Sequence, residues 1–363
     1  MRRYFIAACA AGLGIALSLG TAASAWAWSP RTIVVGPGQS IQAAVNQASP
    51  GDTVLVKPGV YHQSVQIRTD EITLRGSGDF LGGTVLVPPK SVPKTLCNTV
   101  FGPTGVCILA KKVNLKTGAV IKRVNNDTVT ALMVDGFPAN GVFGYGTNGL
   151  TVTRVVAVND GDYGISRFVS SRTLFAGDTA IGNHEAGFYV GDSPQADTVV
   201  RDDQAYGNQF GIFIRHARHV LVTGNRVSGN CQGILVLDDG QRGGAGNATI
   251  VENSVFRNNK LCPKNEDTPV STQGGGILLL GATRTLVARN SVAGNKGKQF
   301  NSGGIVVLSA RQISGGSNPN FDTIARNTAF RDRPADLRWD GTGTGVRFLA
   351  NQCATSAPSG LCP

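Results

Sequence analysis

The feature that most restricts this chain is a period. Asn159, Asn183, Asn208, Asn230, Asn258 and Asn295 each close a similar segment, and Asp135 and Asp332 take the same place at the two ends. A few residues after each comes a glycine followed by an apolar residue, from Gly141-Val142 and Gly164-Ile165 to Gly276-Ile277 and Gly304-Ile305. The first five of these glycines are spaced 23, 23, 24 and 22 residues apart, and the later gaps are longer, as insertions would make them. A second column holds Asn225, Asn253, Asn290 and Asn327.

Within each unit lie short alternating runs such as Ile212-Phe213-Ile214 and Val220-Leu221-Val222-Thr223. Alternation of β-branched and apolar residues is the mark of strand rather than helix. One such coil cannot bury its apolar side alone, whereas stacked coils can, through parallel sheets along a common axis. Equivalent residues then sit about 4.8 Å apart, so an Asn that recurs at a turn becomes a ladder of amides. Leucine-rich repeats and propeller blades need other signatures and periods. The predicted fold class is therefore all-β: a single-stranded right-handed parallel β-helix, a solenoid. Ser40 to Ala48 reads as a short amphipathic helix with Ser40 as its N-cap. A helix there seals the open end of the stack.

The first residues read as an export signal. Arg2 and Arg3 precede an Ala/Leu/Gly-rich stretch from Ile6 to Ala23, and Ala23-Ser24-Ala25 is a small-residue cleavage site. The expected division is a signal peptide over 1–27, the β-helix over 28–350 and a tail over 351–363, in a secreted or periplasmic protein. No other apolar run is long enough to span a bilayer. The chain carries a net charge of +11, or +9 without Arg2 and Arg3. A basic exported surface draws polyanions, and acidic polysaccharide rather than nucleic acid is the expected partner. Six cysteines follow the signal, an even number that allows 15 pairings. The short-range set is Cys97–Cys107, Cys231–Cys262 and Cys353–Cys362; Cys262 lies one coil along from Cys231, which stacking brings within bridging reach.

The run SIQAAVNQASPGDTVLVKPGVYHQSVQI, followed by ITLRG, resembles the entry segment of the pectin-lyase-like superfamily. The later N-x-G-I coils resemble the repeat of NosD-like proteins, alginate epimerases and polysaccharide lyases. The resemblance covers roughly residues 32 to 350 and implies the fold; the repeat itself is structural and names no activity. Alginate epimerases carry Tyr-Gly-apolar-Asp-Pro-His. Tyr163 and Gly164 match it, but Ser166 and Phe168 stand where that motif has its acid and its histidine, so the activity is not carried over on this motif.

Aligning coils on the Gly-apolar step yields a column Val169, Asp192, His216, Asp238, Gly281, Ser309. Its three adjacent polar members suggest acid–base chemistry. Removal of the C5 proton of a uronic acid needs a base and a positive charge or metal to neutralise the carboxylate. His216, Arg215, Asp192 and Asp238 are the catalytic candidates, and Asp192, Asp238 and Asp239 are candidate Ca²⁺ ligands. Strand ends also favour such residues as plain turn formers. Tyr163, Tyr189, Phe213, Arg218 and His219 are the candidate substrate-binding residues. The expected function is lyase- or epimerase-like action on acidic polysaccharide. The alternatives are a non-catalytic binding or envelope-associated β-helix and a NosD-like accessory protein.

Alternation also assigns faces. Ile212 and Ile214 point inward, so Phe213 and its equivalents Phe143, Ser166, Tyr189, Leu235, Leu278 and Val306 point out. An open stripe of Leu235, Leu237, Leu278, Leu280, Val306 and Leu308 is costly in water. The insertions at 240–247, 259–273, 296–302 and 311–322 are expected to cover it, while the aromatics of the earlier coils stay open as a cleft.

Overall fold

A computed structural model describes residues 29–80, 82–265 and 268–362; the expected signal peptide lies outside the described residues. The coils stack as two long parallel sheets. One contains eleven strands, running from Val65–Ile67 through Ala186–Ser193, Phe210–Ala217, Gln232–Leu237, Gly275–Leu280 and Gly303–Leu308 to Ser356–Ala357. The other is bent and takes two short strands from most coils, such as Thr249–Val251 and Ser254–Phe256. Three strands per coil give a three-sided tube. The first sheet is called the front sheet below, and the bent one the back sheet.

Register explains the core. Ile165, Phe188, Ile212, Ile234, Ile277, Ile305 and Leu337 occupy equivalent places in successive front strands, and all are buried inside the tube. Ile212 and Ile214 belong to that interior, whereas Phe213 lies in a separate cluster on the outer surface, as the alternation predicts. The helix Ile41–Gln47 seals the first coil, and the Ser40 hydroxyl accepts the Ala43 N–H at 3.1 Å. All three short-range disulfides are formed. The stack runs past residue 350: Gln352–Cys353 and Ser356–Ala357 pair with Thr328–Phe330 and Leu337–Trp339, so the expected tail is more coil.

Both Asn ladders exist, with one change of register. Each rung accepts the backbone N–H of its neighbour, as in Asn208 N–H to Asn230 Oδ1 (2.9 Å) and Asn230 N–H to Asn258 Oδ1 (3.1 Å). The first ladder runs Asp160, Asn183, Asn208, Asn230, Asn258, Asn295, Asp332. Asn159 is not a rung. It has φ near 54° and shares the left-handed place that Gly182, Gly207 and Gly229 fill in later coils; Asp160 supplies the acceptor instead. Asp135 is not a rung either, because it pairs with Val158 within a strand. The second ladder is longer than expected: Asp178 and Asp203 precede Asn225, and Asn351 follows Asn327.

Candidate functional site

The outer face of the front sheet carries the predicted site residues. Aromatic rings from consecutive coils pack against one another there. Tyr163 and Tyr189 centroids are 4.5 Å apart, Phe168 and Tyr189 4.6 Å, Tyr189 and Phe213 5.3 Å. The expectation that these rings form an open cleft is overturned, because Tyr189 and Phe213 are buried and Tyr163 is half-buried. Over the earlier coils the cover comes from a helix, Leu96–Phe101, which the Cys97–Cys107 bridge ties to the sheet. Its Phe101 ring lies 4.9 Å from that of Phe143.

Over the later coils the cover is the one expected. Val270, Phe300 and Ile313, from three of the insertions, face Leu235 and Leu278 across a cavity of about 250 Å³. Leu235, Leu278, Leu280, Val306 and Leu308 are buried. The gap between the two covers leaves Asp192 and Arg215 in reach of solvent.

The polar cluster forms at that gap, with one substitution of partner. His216 Nδ1 lies 2.9 Å from Asp192 Oδ1, and Nε2 contacts Asp239 Oδ1, not Asp238. The other oxygen of Asp239 accepts from Arg215 Nε at 2.9 Å and Nη2 at 2.7 Å. Exposure falls from 41% for the Asp192 side chain to 9% for Asp239 and 3% for His216. The imidazole is therefore shielded, and Asp192 stands in front of it. Arg215 loses hydration, which opposes its charge, but the Asp239 carboxylate bound to it outweighs this and raises its pKa.

Backbone conformation decides which aspartate reaches His216. The turn after the front strand uses a left-handed residue at Gly146, Val169, Asp192, His216 and Gly281, with φ between 48° and 69°. Asp238 occupies that column without adopting the conformation. The Gly315-Gly316 turn packs against it so closely that a Cβ on Gly316 would meet the Asp238 carbonyl at 1.8 Å. The Asp238 carboxylate caps its own turn through Gly240 N–H at 3.0 Å, and Asp239 moves in beside His216. Column counting could not show this, because the deciding contact comes from residues 77 and 78 positions later.

The remaining candidates are placed as follows. His219 is exposed with Asp197 at 3.5 Å and Asn247 at 3.3 Å, and the half-buried Arg218 makes a bridge to Gly246; both belong to the next turn. Burial, reinforced by the carboxylate of Glu185, pushes the Tyr163 hydroxyl far above its ordinary pKa, and burial does the same for Tyr189. Both stay neutral phenols. The Tyr163–Glu185 contact joins neighbouring coils and was not foreseen as a pair. The expected Ca²⁺ set does not fit. Asp192 and Asp239 face opposite nitrogens of one ring, Asp238 turns away, and no three ligating groups converge among the described residues.

Where the epimerase motif has its acid, the buried Ser166 hydroxyl bonds the Asn140 side chain at 3.3 Å. Arg167 beside it is wholly buried and points into the tube. Its guanidinium donates to the carbonyls of Ser170 (2.6 Å), Ala196 (3.0 Å) and Gly191 (3.4 Å). Burial lowers its pKa to about 9. These carbonyls flank Asp192, so Arg167 braces the turn that presents it.

Residues 140–318 match the family described as right handed beta helix region. This chain folds as a right-handed parallel β-helix. The β-helix superposes on the A-module of a mannuronan C-5 epimerase from Azotobacter vinelandii with a TM-score of 0.55, at 16% identity over 87% of this chain and 94% of that one. A periplasmic alginate epimerase gives 0.52, at 11% identity over 88% and 83%. The DFA-IIIase of Arthrobacter chlorophenolicus A6 gives 0.54, at 12% identity over 90% and 86%. Identities this low establish the fold alone. No curated protein matches in sequence.

Proposed function

We propose that this β-helix acts on an acidic polysaccharide, with Asp192 as the acid–base group. The observation that carries the reading is the chain Asp192–His216–Asp239–Arg215 at the gap in the cover, with Asp192 its most exposed member. Proton abstraction next to a carboxyl group needs a base in contact with substrate and a cation beside it. Asp192 takes the C5 proton of a uronate, and Arg215 faces the developing negative charge. The electron pair left on C5 then has two outlets. Expelling the C4 oxygen, which leaves with the proton now on Asp192, cleaves the chain and leaves an unsaturated end; taking a proton from water on the other face inverts C5. His216 positions the Asp192 carboxylate, and Asp239, clamped by Arg215, positions His216. The fold relatives named as mannuronan and alginate epimerases support the substrate class, and three disulfides suit an exported protein.

The test is incubation with alginate, polymannuronate and polygalacturonate, following unsaturated-end absorbance and C5 stereochemistry by NMR. Asp192→Asn is expected to abolish product and His216→Gln to lower kcat at least tenfold with little change in KM. Full turnover by Asp192→Asn would remove Asp192 from the chemistry. A wild-type protein that binds these polymers and converts none would favour the binding-only reading.

A further inference from the structure

A row of aromatics reaches the surface on the opposite side of the molecule. Along the outer face of the back sheet, the pairing register aligns Tyr206, Ser228, Phe256, Ala293 and Phe330 in one column. Rings thus recur at every second coil, about 9.6 Å apart, with a small residue between. Tyr206 and Phe330 are exposed, and Phe256 is half-buried. Each stands beside an interior residue of the same strand, Ala205, Val255 or Ala329, so the outward direction follows from the pleat.

Cations flank this column. Arg226 stacks on the Phe256 ring at 4.4 Å. Arg257 and Arg331 follow the rings in the left-handed turn, and Lys296 bridges in register to Arg333. Together they line one continuous groove, floored by Ser291 and Ala293. Among the described residues none of these five cations has an ion-pair partner. The two acids at the groove, Asp332 and Asp336, are buried and already engaged as turn acceptors.

We infer that this back-sheet groove is a second binding site, for an acidic polysaccharide lying along the solenoid axis. Charge complementarity supplies the anion. The rings supply the sugar: their two-coil spacing approximates one disaccharide of an extended 1,4-linked chain, and a flat ring face suits the C–H face of a pyranose. Unpaired arginines next to exposed rings serve a polymer that has both charge and ring. The inference shares the polymer class with the function proposed above but not its site. It holds whether or not the front sheet is catalytic.

Affinity electrophoresis in gels cast with polygalacturonate, alginate, neutral dextran or inorganic polyphosphate tests it, together with titrations at varied salt. The triple variant Arg257→Ala/Lys296→Ala/Arg331→Ala is expected to bind polyuronate at least tenfold more weakly, with the slope of log K against log salt reduced by about 2. Tyr206→Ala/Phe330→Ala is expected to lose polyuronate affinity and keep that for polyphosphate. All five positions are exposed, and an unchanged circular dichroism spectrum and Tm confirm the fold. Wild-type affinity in the triple variant overturns the site. Ring variants that lose nothing, or equal affinity for polyphosphate and polyuronate, make the groove a plain polyanion surface and overturn the carbohydrate assignment. Binding intact with no product formed would count against the front-sheet chemistry alone.

Discussion

Replacing Asp332 by Asn probes the chemistry of the ladders. Asp332 Oδ1 accepts from the backbone and side-chain nitrogens of Asn295 at 2.7 and 2.8 Å, as an Asn rung would. Its Oδ2 is buried with no partner. An Asn rung uses its Nδ2 there: Asn295 donates to the Val255 carbonyl, three residues before the preceding rung. The same offset puts Val292 opposite Asp332 Oδ2, so the acid can copy the amide only while it holds a proton. Burial lifts its pKa from 3.8 to about 7. The folded value lies above the unfolded one. The stabilising protonated state is therefore complete below about pH 4, and stability is lost as pH rises toward 7. At 1.36 kcal/mol per pH unit the loss is on the order of 4 kcal/mol. Asp332→Asn is expected to match the wild type near pH 4 and to exceed it by up to about that amount at pH 8, read from urea unfolding at both values. A gain of equal size at both pH values, or none at pH 8, would refute the reasoning. Asp127, Asp160, Asp203 and Asp322 likewise carry a buried, unpartnered Oδ2 and a pKa raised chiefly by burial.

Two further outcomes follow from buried polar groups. Asn258→Ala takes the acceptor from the buried Asn230 N–H and one side-chain bond each from Asn230 Nδ2, the Val227 carbonyl and Asn295 Oδ1, while Asn230 Nδ2 keeps the Ala205 and Ser228 carbonyls and Asn295 Oδ1 keeps the N–H of residue 258; it is expected to cost about 2 kcal/mol in urea unfolding, and a cost below about 1 kcal/mol would show that the ladder is dispensable. Arg167→Met removes a donor from the Ser170, Gly191 and Ala196 carbonyls, of which Gly191 keeps the Val169 N–H and Ser193 hydroxyl and Ala196 the Arg172 N–H and Thr198 hydroxyl; it is expected to cost about 2 kcal/mol while lowering turnover by loosening Asp192, and a stable variant with unchanged turnover would count against the bracing role.

The solenoid was legible because its cause is periodic. Inward aliphatics, turn glycines and amide rungs recur at one spacing, and each repeat checks the others. Reading failed where a single coil departs from the rest. Asn159 looks like a rung, yet the left-handed turn claims it and Asp160 takes over. Asp238 sits in the right column, yet its backbone leaves the left-handed conformation where the Gly315-Gly316 turn packs on it, and Asp239 reaches His216. The facing of the front-sheet rings was derivable from alternation, but their burial was not, because the helix Leu96–Phe101 over Phe143 and Tyr145 and the insertion over Phe213 have no repeat to place them. The back-sheet groove escaped notice because its rings occur in every second coil and its arginines belong to different columns.

The ladders also separate inheritance from novelty. Adjacent rungs are joined by the same pair of hydrogen bonds whether 22 residues divide them, as Asn208 and Asn230, or 37, as Asn258 and Asn295. The spine does not register how much chain has looped out between its rungs. Segments such as 263–273 and 297–302 are thus free to lengthen, shorten or be exchanged at little cost to the tube. The protein is in effect a chassis, on which a new specificity can be installed by grafting loops over the front sheet while the back-sheet surface stays as it is.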